Sequence, residues 1–140
     1  MRLTPSVFYL FSNILLNKIG QDKLNKLRYV IFGGDVLNFA YLKSWFNIYG
    51  DKTPQLVNMY GITETTIHAT YKFMKIDEIY DGSLIGRMLQ GQLGYILDKY
   101  LNLLPIGAIG ELYVSGRLAK GYLNKFDLTS QSFILKNYRK

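Results

Sequence analysis

Two short apolar runs, RYVIF at 28–32 and QLVNMY at 55–60, each stop abruptly on glycine. Runs of this length with β-branched and aromatic residues read as strands. Between them, residues 36–49 read as a helix, with Leu37, Tyr41, Trp45 and Ile48 on one face and Gly50 closing it. Ahead of the first run, Thr4-Pro5 opens another helix, a hydroxyl N-cap followed by a proline whose missing N–H costs nothing there. Val7, Phe8, Phe11, Ile14, Leu15 and Ile19 then recur at helical spacing, Gly20 supplies the closing residue, and a polar link spans 22–27. Helix, strand, glycine turn, helix, strand, glycine turn is the rhythm of a parallel α/β sheet, in which ligands bind beyond the carboxyl ends of the strands. Both turns, GGD at 33–35 and YGITE at 60–64, fall at such ends. Tight turns after strands require glycine anyway, so the glycines alone do not make a site.

From about residue 83 the pattern changes. QLGYILD (92–98) and GELYVSG (110–116) alternate as extended strands, with turn residues between them, and predict a β-meander or part of a barrel. Residues 127–134 can start a helix, capped by Asp127 or Thr129. The expected organisation is a partial α/β subdomain over 1–82, carrying nucleotide-binding strand ends, and a partial β-barrel-like subdomain over 83–140.

Composition narrows the class. With 140 residues, 49% hydrophobic and 15% aromatic, the chain suits one folded domain, not a disordered one. A fold of this size buries about two-thirds of its unfolded surface. The absence of cysteine removes disulfides and thiolate metal sites and suits a reducing cytoplasm. No apolar run approaches the roughly 18–20 residues of a membrane span, and no basic-then-apolar signal opens the chain. The reading is a soluble cytoplasmic protein with no membrane partner. A net charge of +7 invites a nucleic-acid partner, but Lys18, Lys23, Lys26, Lys43, Lys52, Lys72 and Lys75 are scattered, with mild crowding only after Arg117. Lys, Asn, Ile and Tyr are frequent, as AT-rich coding would produce. A solvated basic surface explains the charge, and no nucleic acid is expected.

The chemistry-bearing residues are few. His68 is the single histidine, placed by its neighbours in a threonine-rich strand and most simply structural. No nucleophile–base pair, carboxylate pair, histidine–carboxylate metal cluster or G-x-x-x-x-G-K-[ST] loop is present. Thr63-Glu64 stands apart. After a strand-ending glycine, the hydroxyl can donate to a phosphate oxygen while the carboxylate holds the Mg²⁺ that offsets phosphate charge. Tyr60 can offer a flat face to a heterocycle. Equally, Thr63 can cap the following turn and Glu64 can be a solvated first-turn acid. On residue chemistry alone the capping reading is the simpler.

Several blocks together carry a resemblance. LRYVIFGGDVL, VNMYGITETTIHATY, IGELYVSGRLAKGYLN and DLTSQSFI follow in the order and approximate spacing of the adenylate-forming enzymes, and they look most like adenylation (AMP-binding) domains of nonribosomal peptide synthetases. TPSVF and IGRMLQGQLGYILD resemble that family's linking segments, so the similarity covers essentially the whole chain. YG-x-TE recurs across the superfamily and is moderately specific; the ordered set of blocks is much more so.

The resemblance implies an amino-acid-activating ligase: ATP and an amino acid, or another carboxylic acid, give an acyl-adenylate and pyrophosphate. The acyl group then passes to the phosphopantetheine thiol of a peptidyl-carrier domain. It implies that Tyr60 stacks on adenine with Asn58 at its edge, and that Gly34-Asp35 backbone lines the other side. Gly61 ends the strand beneath the nucleotide, Thr63 contacts the α-phosphate, and Glu64 coordinates Mg²⁺, these two forming the catalytic pair. The pocket for the substrate side chain falls at Ile31, Gly33, Met59, Ile67 and His68. The chain departs from the family pattern at Ile62 and Met88, where proline is usual, at Lys120, where arginine is usual, and in a register about one residue short after Gly116. The family's phosphate-binding loop, ribose-binding aspartate and C-terminal lysine have no counterpart here. The expectation is therefore an internal piece of such a domain, inactive alone, with apolar exposed faces and poor solubility. An acyl-CoA ligase-type relative, and a non-catalytic remnant or nucleotide-binding module, are the alternatives.

Overall fold

The computed structural model describes residues 1–18, 24, 26–78 and 82–135. Strand β1 (Arg2–Leu3) leads into helix α1 (Pro5–Lys18), and β2 (Tyr29–Phe32) follows. Helix α2 (Lys43–Tyr49) then connects to β3 (Gln55–Tyr60). Thr4 stands at the start of α1, its carbonyl accepting the Phe8 N–H at 3.0 Å while its hydroxyl lies 3.2 Å from that of Ser6. The proposed closure by Gly20 lies outside the described residues, as does most of the link at 22–27.

β1, β2 and β3 pair in parallel, so the expected parallel core is present. The sheet does not continue that way: β4 (Thr70–Phe73) and β5 (Arg87–Met88) extend it antiparallel, in the order β1-β2-β3-β4-β5. The cause is chain length. A parallel return needs a crossover of a dozen or more residues, and 61–69 hold only a single 3₁₀ turn.

Alternation in β2 sets the layers. Val30 and Phe32 are fully buried while Tyr29 and Ile31 turn away. The buried side joins Leu56 of β3 with Phe8, Leu37, Phe39, Leu42, Trp45, Phe46 and Met74 in one core. The Phe8 ring lies 4.8 Å from Phe32 and 5.0 Å from Trp45, centroid to centroid, so α1, α2 and the sheet meet at one aromatic junction.

The helix expected over 36–49 is shorter than its pattern. Asn38 interrupts it, its side-chain oxygen accepting the Ala40 N–H at 2.9 Å and opening a 3₁₀ turn, Phe39–Leu42, before α2 begins. Asn38 N–H donates to the Tyr9 hydroxyl at 3.0 Å, which ties this first turn to α1. Leu37 and Trp45 are buried as expected, together with Phe39, Leu42 and Phe46, whereas Tyr41 and Ile48 are exposed. Gly50 closes α2 as expected, donating to the Phe46 carbonyl at 2.9 Å.

β6 (Gln92–Leu97) and β7 (Glu111–Gly116) form a separate two-stranded antiparallel sheet. The Asp98 carboxylate organises the connection, accepting the Tyr100 and Asn102 N–H groups at 2.8 Å each. Helix α3 (Phe126–Ser132) begins after Lys125 with no side-chain cap. Asp127 and Thr129 thus sit inside the helix instead of capping it. The Thr129 hydroxyl donates back to the Lys125 carbonyl at 2.8 Å and accepts the Tyr122 N–H at 2.9 Å.

Candidate functional site

The chain turns away from the sheet at the carboxyl ends of β2 and β3 and leaves an open cleft of about 360 Å³. It is lined by Gly34, Asp35, Val36, Asn58, Met59, Tyr60, Gly61, Ser83 and Ile85. Five residues expected around a nucleotide base, Gly34, Asp35, Asn58, Tyr60 and Gly61, therefore converge on one cavity. Gly34 adopts φ 86°, a left-handed conformation that opens its backbone toward the cleft. Asp35 accepts the Val36 N–H at 2.7 Å, which fixes the turn. Asn58 is buried and donates to the Leu84 carbonyl at 2.8 Å, so one of its functions is to hold the opposite wall. Val36, Ser83 and Ile85 were not anticipated. The Ser83–Ile85 wall arrives through pairing of distant segments, pinned also by Phe39 N–H to the Gly82 carbonyl at 3.3 Å, and short-range periodicity carries no signal for it.

Next to the cleft, residues Thr63–Thr65 form a 3₁₀ turn. Its cap is Thr65, not Thr63: the buried Thr65 hydroxyl accepts the Ile62 N–H at 3.0 Å and donates to the Ile62 carbonyl at 2.9 Å. That corrects the simpler sequence reading. Thr63 is left exposed, and no hydrogen bond among the described residues occupies its hydroxyl. Glu64 is half-buried, not solvated, and its Oε1 accepts a hydrogen bond from the Tyr122 hydroxyl. Among the described residues no three metal-ligating side chains cluster. A hydroxyl beside a single carboxylate is a hard-oxygen donor set. It suits Mg²⁺, which takes one or two carboxylates and completes its shell with phosphate oxygens and water.

Beyond that turn the backbone passes through positive φ at Thr66 (62°) and Ile67 (123°), unusual for a β-branched residue. This brings Ile67 and His68 back against Gly61, where a Cβ would run into the Ile67 carbonyl and lie 2.5 Å from His68 Cα. His68 precedes β4 and is not in a strand, contrary to expectation. Its ring packs on Gly33, where a Cβ would lie 2.8 Å from Cε1. Arg2 lies 2.9 Å from His68 Nε2. A guanidinium only donates, so Nε2 accepts and the ring is neutral with its proton on Nδ1. Nδ1 is buried with no partner among the described residues. Burial, and then the Arg2 charge, hold the imidazole below its usual pKa of 6.5. Ile31 pairs with Arg2 and with Val57, which puts Ile31 and Met59 on the face of the sheet that carries Arg2. Gly33, Met59 and His68 are thus brought together beside Ile31, with Ile67 exposed at the edge.

A family model described as AMP-binding enzyme matches residues 1–123. The chain belongs to that family. It is 44% identical over 136 residues to a dimodular nonribosomal peptide synthase of Bacillus subtilis, covering 94% of this chain and 6% of that protein. Against malpinin synthetase of Mortierella alpina it is 40% identical over 136 residues, covering 96% of this chain and 2% of the relative. The fold agrees with that of PA1221, a nonribosomal peptide synthetase protein containing adenylation and PCP domains. The TM-score is 0.80 at 30% identity, over 99% of this chain and 27% of PA1221. The chain therefore spans a small share of the relatives it matches.

Proposed function

We propose that this chain supplies the adenine-binding and metal-binding corner of an enzyme that activates an amino acid with ATP. One observation carries the reading: a single cleft gathers Gly34, Asp35, Asn58, Tyr60 and Gly61 directly beside the Thr63–Glu64 turn. In the reaction a substrate carboxylate oxygen attacks the α-phosphorus of ATP, the bond to the β-phosphate breaks, and pyrophosphate leaves. A carrier-domain phosphopantetheine thiol then attacks the acyl carbon, loses its proton, and releases AMP.

In this reading Tyr60 stacks on adenine between the strand end and the Gly34-Asp35 backbone, with the Asn58 amide at the base edge. The exposed Thr63 hydroxyl donates to an α-phosphate oxygen. Glu64 would hold Mg²⁺, whose charge offsets that of the phosphates. Gly33 leaves space, Met59 fills it, and Ile31, Ile67 and His68 border the substrate side chain. We place these groups in a subdomain over 1–82, with a β-barrel-like subdomain over 83–140 and a cytoplasmic setting for the whole.

Amino-acid-dependent ATP–pyrophosphate exchange by the full-length protein tests the reading. Exchange is expected with at least one amino acid, and Glu64→Gln is expected to slow it about 10²–10³-fold. Tyr60→Ala is expected to weaken nucleotide binding by about 1–3 kcal/mol, the usual value of one base–aromatic stack. Exchange supported only by fatty acids would transfer the site to acyl-CoA ligase chemistry. Absence of both exchange and nucleotide binding would overturn the proposal.

A further inference from the structure

The Glu64 turn is gripped by residues far along the chain. Ala119 N–H donates to the Glu64 carbonyl at 2.8 Å, and the Tyr122 hydroxyl donates to Glu64 Oε1. Both donors come from the segment between β7 and α3, which belongs to neither strand flanking the turn.

Tyr122 is itself held by α3. Its N–H donates to Thr129 Oγ1 at 2.9 Å, and its ring meets Phe133 nearly edge-on at 6.1 Å. Gly121, at φ 134°, lets the backbone come so near that a Cβ would lie 2.5 Å from Thr129 Cγ2. The Tyr122 backbone and ring are therefore held by α3 and by Phe133 just beyond it, apart from the Glu64 carboxylate. A glutamate side chain has three rotatable bonds and would otherwise sample several directions. With Oε1 tied to that donor, the directions open to Oε2 are narrowed as well.

We propose that Tyr122 is a positioning residue that aims the Glu64 carboxylate at the metal, Oε1 accepting from the phenol and Oε2 left to ligate. The proposal rests on the reading of Glu64 as the Mg²⁺ ligand. Hydrogen-bond partners of ligating carboxylates act in this way, and their loss typically weakens metal binding about 10–100-fold. The same contact ties the segment before α3 to the end of β3, so α3 and the sheet share one metal corner.

The test is Mn²⁺ binding followed by electron paramagnetic resonance, on the full-length protein with a non-hydrolysable ATP analogue. Tyr122→Phe is expected to weaken protein-bound Mn²⁺ about 10–100-fold, leaving analogue affinity in EDTA unchanged. Phe133→Leu keeps the hydroxyl but loosens its support, so it is expected to lower Tm and to weaken Mn²⁺ binding less than Tyr122→Phe does. Glu64→Gln should lose at least as much Mn²⁺ affinity as Tyr122→Phe. If Tyr122→Phe binds normally while Glu64→Gln is impaired, the positioning role is overturned and the metal reading stands. Equal losses in Phe133→Leu and Tyr122→Phe would also overturn it, because the cause would then be loosening of α3. Wild-type affinity in Glu64→Gln, or no protein-bound Mn²⁺ at all, overturns both.

Discussion

Gly61 ends β3 for a reason other than backbone freedom. Its neighbours are the main chain of Ile67 and His68, and main chain cannot step aside as a side-chain tip can. Gly61→Ala should therefore cost about 1–3 kcal/mol by overpacking, read as a shift in urea midpoint at unchanged m-value. A change under about 0.5 kcal/mol, the range of an ordinary surface substitution, would mean that the loop over 66–68 does not press on the strand end. At Gly33 the obstacle is the His68 ring, a movable group, so Gly33→Ala is expected to be milder. His68 gives the chain a pH dependence. Its folded pKa lies below the unfolded 6.5, so near and just below that value the unfolded state binds more protons. The contribution of the neutral ring is fully present above pH 6.5 and is lost as pH falls through the window between the unfolded and folded values. Denaturation at about pH 7.5 and then at successively lower pH below 6.5 should show a steeper loss of stability for wild type than for His68→Gln. Equal drops would show that the imidazole is not held neutral.

Elements succeed or fail here according to where their determinants lie in the chain. β2, β3 and the start of α1 were legible because each is fixed by its own residues: alternation, a glycine stop, a Thr-Pro opening. The same holds for the strand pair β6 and β7. What sequence could not give was set by distant partners. Asn38 caps a 3₁₀ turn inside the pattern over 36–49, and Tyr9, 29 residues away, holds it there through its N–H. Likewise the Arg2–His68 contact joins residues 66 apart, and the Glu64–Tyr122 contact joins residues 58 apart. The candidate cleft was half-legible for the same reason: its β2 and β3 ends could be named, its Ser83–Ile85 wall could not. The α1 periodicity makes a sharp prediction at this scale. Phe8 is 0% exposed at the aromatic junction and Leu10 is 64% exposed on the opposite side of the same helix. Phe8→Ala should cost about 3–5 kcal/mol, and Leu10→Ala should stay within about 0.5 kcal/mol. The single, fully buried Trp45 reports both by fluorescence during denaturant titration. A comparable loss in Leu10→Ala would mean that the outer face of α1 is covered.

The whole molecule sets apolar exposure against charge. Val7, Leu10 and Ile14 form an outward stripe on α1, and Ile106 and Ile109 stand fully exposed in the connection between β6 and β7. Apolar surface of this extent favours association when molecules can approach. The net charge of +7 opposes approach, because like-charged copies repel over the Debye length. That length shrinks from about 30 Å at 0.01 M ionic strength to about 10 Å at 0.1 M and 3 Å at 1 M. Apolar attraction is not screened in this way, so added salt should tip the balance toward association. For the 140-residue chain at a fixed concentration and neutral pH, the weight-average sedimentation coefficient should rise as NaCl goes from about 20 to about 500 mM. The double variant Ile106→Lys, Ile109→Lys removes exposed apolar area and adds charge, and it should flatten that rise without lowering Tm, since neither side chain is packed. A monomer unaffected by salt would show that the exposed residues are too dispersed to associate. A rise undiminished in the double variant would move the contact to the α1 stripe, where Leu10→Lys should then abolish it.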